Sequence, residues 1–234
     1  MRDKSVNGDL IILRAGLRHA KKIGMVDEIS KVQLLKVPRR KAIKILSKAD
    51  LRLLLETATK GSDPRIYGIV LIAAHSGFRS DEILHLTWAD TDPEELSLRV
   101  TSKPHLKWSS KSHQERTVFV APGVFEWLAE WRAKAPWPGD DEFVFATRSG
   151  RPMSTTNVAR AVRGVFEDCG LYRPGQNACL HAIRHAATTR MLSAGADIEV
   201  VRDVLGHADV ATTSLYLHSS DSRKRDAATK LALD

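Results

Sequence analysis

Residues 64–100 read PRIYGIVLIAAHSGFRSDEILHLTWADTDPEELSLRV, and a change of rhythm inside this stretch decides the fold. Proline suits the first turn of a helix and glycine its left-handed exit, so a helix is predicted from Pro64 to just before Gly77. Arg79 stands at the junction, and a short helix holding Glu82 to Leu86 follows. The period then shifts from 3.6 to alternation. Leu96, Leu98 and Val100, and further on Val118 and Val120, read as strands of a small antiparallel sheet joined through a lysine-rich polar stretch. The expected class is α+β, mainly helical, with the small sheet inserted after the first helices.

Outward from this stretch the pattern is helical on both sides. Ser47 with Asp50 three positions on resembles a capping box, and Leu51, Leu54, Leu55 and Ala58 then recur at helical spacing. The main domain is therefore expected to span residues 47–234. Before it, residues 6–23 form an amphipathic helix closed by Gly24, and residues 31–46 a basic connector with Pro38 among lysines and arginines. After the sheet, helices are expected from Pro122, from Ser154 or Thr155 to Gly170, from Leu180 to Leu192 before Gly195, and from an Asp197 cap to Gly206. Residues 222–233 (SRKRDAATKLAL) suggest a tail helix too short to be stable without docking.

The net charge is +8, and it is uneven: residues 1–48 hold 13 Lys or Arg against 4 Asp or Glu. A segment of that charge can neutralise phosphates and release counterions. The longest apolar stretch, Gly68 to Ala74, is too short to span a bilayer and no signal segment opens the chain, so a cytoplasmic, non-membrane protein is expected. Cys169 and Cys179 form no close CxxC pair, which suggests neither a disulfide framework nor a thiolate metal site. His181 and His185 lie one turn apart, but the intervening residues are Ala-Ile-Arg rather than the Glu-x-x of a zinc protease, and an arginine between two histidines repels a metal cation. An anion suits that helix better than a metal, and no cofactor is expected. Leu180, Ile183, Ala187 and Met191 form its core stripe, which turns His181, Arg184 and Thr188 onto the adjacent face.

Taken together, Arg79 in SGFRSDEILHLTW, Lys111 with Arg116 in KSHQERTVFV, the run HAIRH (181–185), LGH ending at His207 and SLYLH around Tyr216 appear in order. They resemble the signature of the tyrosine recombinase (phage integrase) family, and the resemblance covers residues 47–218. Residues 1–46 resemble only the last helix and linker of that family's core-binding domain. The resemblance implies a site-specific recombinase that cuts and rejoins double-stranded DNA through a 3′-phosphotyrosyl intermediate, with other recombinase subunits assembled on the DNA, up to a tetrameric synapse. It implies Tyr216 as nucleophile, Arg79 and Arg184 as donors to the phosphate, His181 as acceptor or shuttle of the tyrosine proton, Lys111 as general acid and His207 as a phosphate contact. Glu82 and His185 would support them, although Glu82 can also be read as an ordinary helix-surface acid beside Arg79.

The lysine is set by two spacings that disagree. Counting forward from Trp88 lands near Lys103, and counting back five from Arg116 lands on Lys111, which is preferred. A type IB topoisomerase shares this chemistry but lets a free strand rotate, and the HAIRH and LGH boxes favour a recombinase. A DNA-binding relic without catalysis is the alternative of another class. The intact residue set argues against it.

Overall fold

The structure is a computed structural model, and it describes residues 3–36, 45–110, 114–172 and 179–206. Lys111, His207, Tyr216, the proposed tail helix and half of the basic connector, residues 37–44, lie outside the described residues. The chain divides into two units, residues 1–43 and 44–234.

In the first unit, α1 (Asp3–Lys22) is the helix that the amphipathic pattern predicts, begun three residues earlier. Gly24 adopts φ 73° just after it, and the Met25 N–H returns to the Ala20 carbonyl. The Asn7 carboxamide bonds both the N–H and the carbonyl of Leu35, at 2.7 and 2.9 Å, and so ties the following segment to the helix.

The second unit is built around α3 (Pro64–Ser76), which is buried from Ile69 to Ala74 and packs against α2 (Lys48–Thr59), α5 (Pro122–Arg132), α6 (Thr155–Asp168) and α7 (Leu180–Ser193). Local signals account for its ends. Asp63 caps the helix by accepting from the Arg65 N–H, Pro64 occupies the first turn, and Gly77 leaves at φ 66°. The Ser47–Asp50 capping box opens α2. Short α4 (Ser80–Leu84) follows Arg79 and leads through a single 3₁₀ turn at Trp88–Asp90 into the sheet.

That sheet has three antiparallel strands in the order β1 (Thr91–Asp92), β2 (Ser97–Val100), β3 (Arg116–Phe119). Leu98 lies opposite Val118 and Val100 opposite Arg116. Leu96, expected in a strand, instead takes φ 48° in the turn before β2. Helix α8 (Ile198–Leu205) begins at an Asp197 cap, ends at Gly206 and packs on both α7 and β3. Leu192, Val201 and Leu205 form a small second core there, and Met191 packs against this cluster, partly buried. The main core runs from Leu54 through Ile69, Ile72, Phe78, Ile83 and Trp88 to Leu98 and Ile183. Among the described residues no helix is long and apolar enough to cross a membrane.

Candidate active site

Two helix ends meet at one point of this fold: the exit of α3 at Gly77 and the exit of α8 at Gly206. A helix leaves its last carbonyls without intrahelical donors, and its C-terminal end carries partial negative charge. Three arginines from three other places supply both needs. Arg116 Nε donates to the Val204 carbonyl at 2.8 Å, Arg184 Nη2 to Leu205 at 2.7 Å and Arg79 Nη2 to Gly206 at 2.8 Å. Arg184 Nη1 also donates to the Gly77 carbonyl at 2.6 Å. Gly206 has φ 62°, and a Cβ there would lie 2.8 Å from the Arg116 guanidinium, so the turn admits no larger residue without displacement.

Glu82 is the hub of this cluster. Its Oε1 accepts from Arg79 Nη1 at 2.9 Å and Arg116 Nη1 at 3.1 Å, while Oε2 accepts from Arg116 Nη2 at 2.6 Å and the Arg79 N–H at 2.8 Å. Arg184 Nη1 lies 4.0 Å from Oε2. The Glu82 side chain is only 2% exposed, against 7% for Arg116 and 26% for Arg79, so the surface-acid reading is corrected. A five-residue helix cannot turn Glu82 to solvent when its first turn faces a buried arginine fork. Burial on its own would raise the carboxyl pKa, but the Arg116 hydrogen bonds and charge, aided by Arg79, hold it below the ordinary glutamate value. Three guanidiniums thus converge on one carboxylate, a cationic setting suited to an anion.

Helix α7 brings the histidines to the same place. His181 is exposed at the start of the helix, and partial burial of its ring, then the charges of Arg184 and Arg79, lower its pKa. Its Nε2 lies 2.9 Å from His185 Nε2, so one hydrogen is shared between the two rings. Burial, then His181 and Arg184, push His185 down to about 4. Both rings are therefore neutral near pH 7, as a proton acceptor must be. Arg184 and Thr188, expected beside the core stripe, are buried, because α7 is covered on that side too; the Thr188 hydroxyl donates to the Arg184 carbonyl at 2.8 Å.

Of the residues singled out from the sequence, Arg79, Glu82, His181, Arg184 and His185 come together here. Lys103 is described elsewhere: it is buried, ion-paired to Asp90 at 2.8 Å and set over the Trp108 ring. The Trp108 indole in turn donates to Asp81 on α4 at 2.8 Å. Arg116, which the sequence offers only as a landmark for spacing, is a full member of the cluster. Strand alternation was the signal that could have found it, since it shares a face with buried Val118 and a cation on that face needs an acid. Among the described residues no group of three or more His, Cys, Asp or Glu is placed to hold a metal ion.

Residues 44–223 match the Phage integrase family. The chain is 30% identical over 199 residues to tyrosine recombinase XerC 2 of Ralstonia nicotianae, a match covering 82% of this chain and 54% of that protein. It is similar to the crystal structure of XerA recombinase, with TM-score 0.66 and 28% identity over 84% of this chain and 68% of the other. The XerH site-specific recombinase bound to palindromic difH substrate, a post-cleavage complex, aligns with TM-score 0.64 and 25% identity over 81% of this chain and 53% of that one. The chain thus spans about half the length of the recombinases it matches by sequence.

Proposed function

We propose, from the premise that this chain belongs to the phage integrase family, that it cleaves and rejoins double-stranded DNA as the catalytic part of a site-specific tyrosine recombinase. The observation that carries this reading is the gathering of Arg79, Arg116 and Arg184 around Glu82, with neutral His181 in their field. Cleavage of a phosphodiester builds negative charge on its non-bridging oxygens, and guanidiniums fixed in advance stabilise that charge without reorganising. Arg79 and Arg184 take this role, and His207, the residue after Gly206, contacts the same phosphate.

The chemistry balances without an added reactant. The Tyr216 oxygen forms a bond to phosphorus as its proton passes to His181, and the bond from phosphorus to the 5′ oxygen breaks as Lys111 supplies a proton to the departing hydroxyl. The product is a 3′-phosphotyrosine, whose retained energy allows a 5′-hydroxyl to attack and reseal the strand. Lys103 is the less suited acid, because it would have to leave a buried ion pair with Asp90 to reach a phosphate. The proposed partners are a DNA duplex and further recombinase subunits on it, in the cytoplasm; the substrate-bound state of the XerH neighbour supports a substrate at this site.

The test is a nicked duplex whose 5′ fragment diffuses away after cleavage, incubated with the protein in excess EDTA and run on a denaturing gel. A covalent protein–DNA band with wild type, absent with Tyr216→Phe and retained with Tyr67→Phe and Tyr172→Phe, is expected. A Tyr216→Phe variant that still forms the band would overturn the assignment.

A further inference from the structure

Arg116 ties the Glu82 hub to the end of α8, although the proposed mechanism gives it no chemical step. It stands at the start of β3, five residues after Lys111, and its guanidinium reaches three elements at once. It forks onto both oxygens of Glu82 on α4, takes the Val204 carbonyl at the end of α8, and lies 5.1 Å over the ring of Phe78, between the exit of α3 and Arg79. Glycine at 206 leaves the space that this guanidinium occupies.

We infer that Arg116 is a positioning residue of the cleavage site, which fixes Glu82 so that Arg79 is presented correctly and pins the end of α8 ahead of Gly206. This rests on the proposed recombinase function. Only a fork can do this. One carboxylate serves Arg79 and Arg116 with two oxygens each used twice, so the direction of the Arg79 side chain depends on where the Arg116 fork sets the carboxylate plane. A lysine offers a point charge and cannot set that plane. Through the same residue, the strand that follows Lys111 is tied to the helix that precedes His207. The start of β3 and the end of α8 are thereby held to one reference point, the Glu82 carboxylate with its Arg116 fork.

The experiment measures single-turnover cleavage of nicked suicide DNA at saturating protein, DNA affinity, and the pH profile of the cleavage rate for wild type, Arg116→Met, Arg116→Lys and Arg116→Ala, with Tyr216→Phe as the blank. Displacing a reacting group by about 1 Å costs on the order of 100-fold in rate, and a loss of that size is expected in Arg116→Met while DNA affinity changes only a few-fold. Arg116→Lys should recover little of the loss, whereas millimolar guanidinium should restore part of the rate to Arg116→Ala. The groups facing Glu82 are Arg79 before α4, Arg116 on β3 and Arg184 on α7, alongside the carbonyls at the end of α8. Without Arg116 the carboxyl loses its main charge partner, so the Arg116→Met profile should gain an acid limb that wild type lacks. If Arg116→Met fails to fold, Arg116→Lys carries the comparison. Wild-type rate and pH profile in the lysine variant, or equal losses of rate and affinity with no guanidinium rescue, would overturn the inference and leave the proposed function standing. Wild-type protein that forms no adduct would overturn both.

Discussion

Replacing Glu82 with glutamine changes one atom and removes the charge that three arginines share. The amide keeps a single acceptor oxygen, which can serve one side of the carboxylate; its NH₂ then faces donors on the other, either the pair of Nη1 groups or the Arg116 Nη2 and Arg79 N–H. At least two of four hydrogen bonds are lost, and the negative charge disappears from a site where the acid is 2% exposed. Breaking one side of a buried ion pair costs about 3–5 kcal/mol. At a urea m-value of about 2 kcal/mol/M, the unfolding midpoint should fall by ~2 M at pH 7. The pH dependence has a definite sign. The folded carboxyl titrates below the ordinary value of 4.5, so ionised Glu82 contributes stability that is complete above about pH 4.5 and is lost as pH falls through the lower folded value. The gap between wild type and Glu82→Gln should therefore stay constant from pH 8 to 5 and narrow only in stronger acid. Urea melts monitored by circular dichroism across this range decide it. A midpoint within a few tenths of a molar of wild type at pH 7 would show that the carboxylate is not the hub described.

Gly206→Ala forces alanine to φ 62° with its Cβ 2.8 Å from the Arg116 guanidinium, so a loss of about 1–3 kcal/mol in urea melts is expected, with slowed cleavage. His185, held at about 4 against an ordinary 6.5, makes the native state lose stability as pH falls from 6.5 toward 4, because the unfolded chain protonates first. His185→Gln should thus lose less stability than wild type between pH 7 and 5, by on the order of 1 kcal/mol after discounting for its partly exposed ring; thermal melts at both pH values will show whether the difference has this sign. A DNA substrate with sulfur at the 5′ bridging position needs no proton on its leaving group, so it should restore cleavage to Lys111→Ala. Rescue of Lys103→Ala instead would move the acid to the buried lysine.

What the sequence made legible was local. Pro64 with Gly77, Ser47 with Asp50, and Asp197 with Gly206 each mark a helix end by backbone geometry that neighbouring residues determine, and the structure ends its helices there. What stayed hidden depends on contacts between distant residues. Arg116 and Glu82 are 34 positions apart, and nothing near either one shows that they meet. A single apolar stripe describes a helix buried on one face, whereas α7 also buries Arg184 and Thr188 against the cluster. Val144 and Phe145 enter the core without any regular element, held by an isolated bridge between Thr87 and Phe143 that periodicity cannot reveal. The arginine and histidine boxes could be recognised because their order along the chain is a pattern; the fork that aligns them had to be seen in space.

The central claim is that the cluster serves a phosphate attacked by Tyr216. Its most direct test is mass mapping of the covalent species trapped on nicked suicide DNA. After protease and nuclease digestion, the predicted result is one peptide of increased mass, spanning Tyr216 and carrying a nucleotide through its 3′ phosphate. A nucleotide on Tyr67, Tyr172 or a serine, or attachment through a 5′ phosphate, would contradict it.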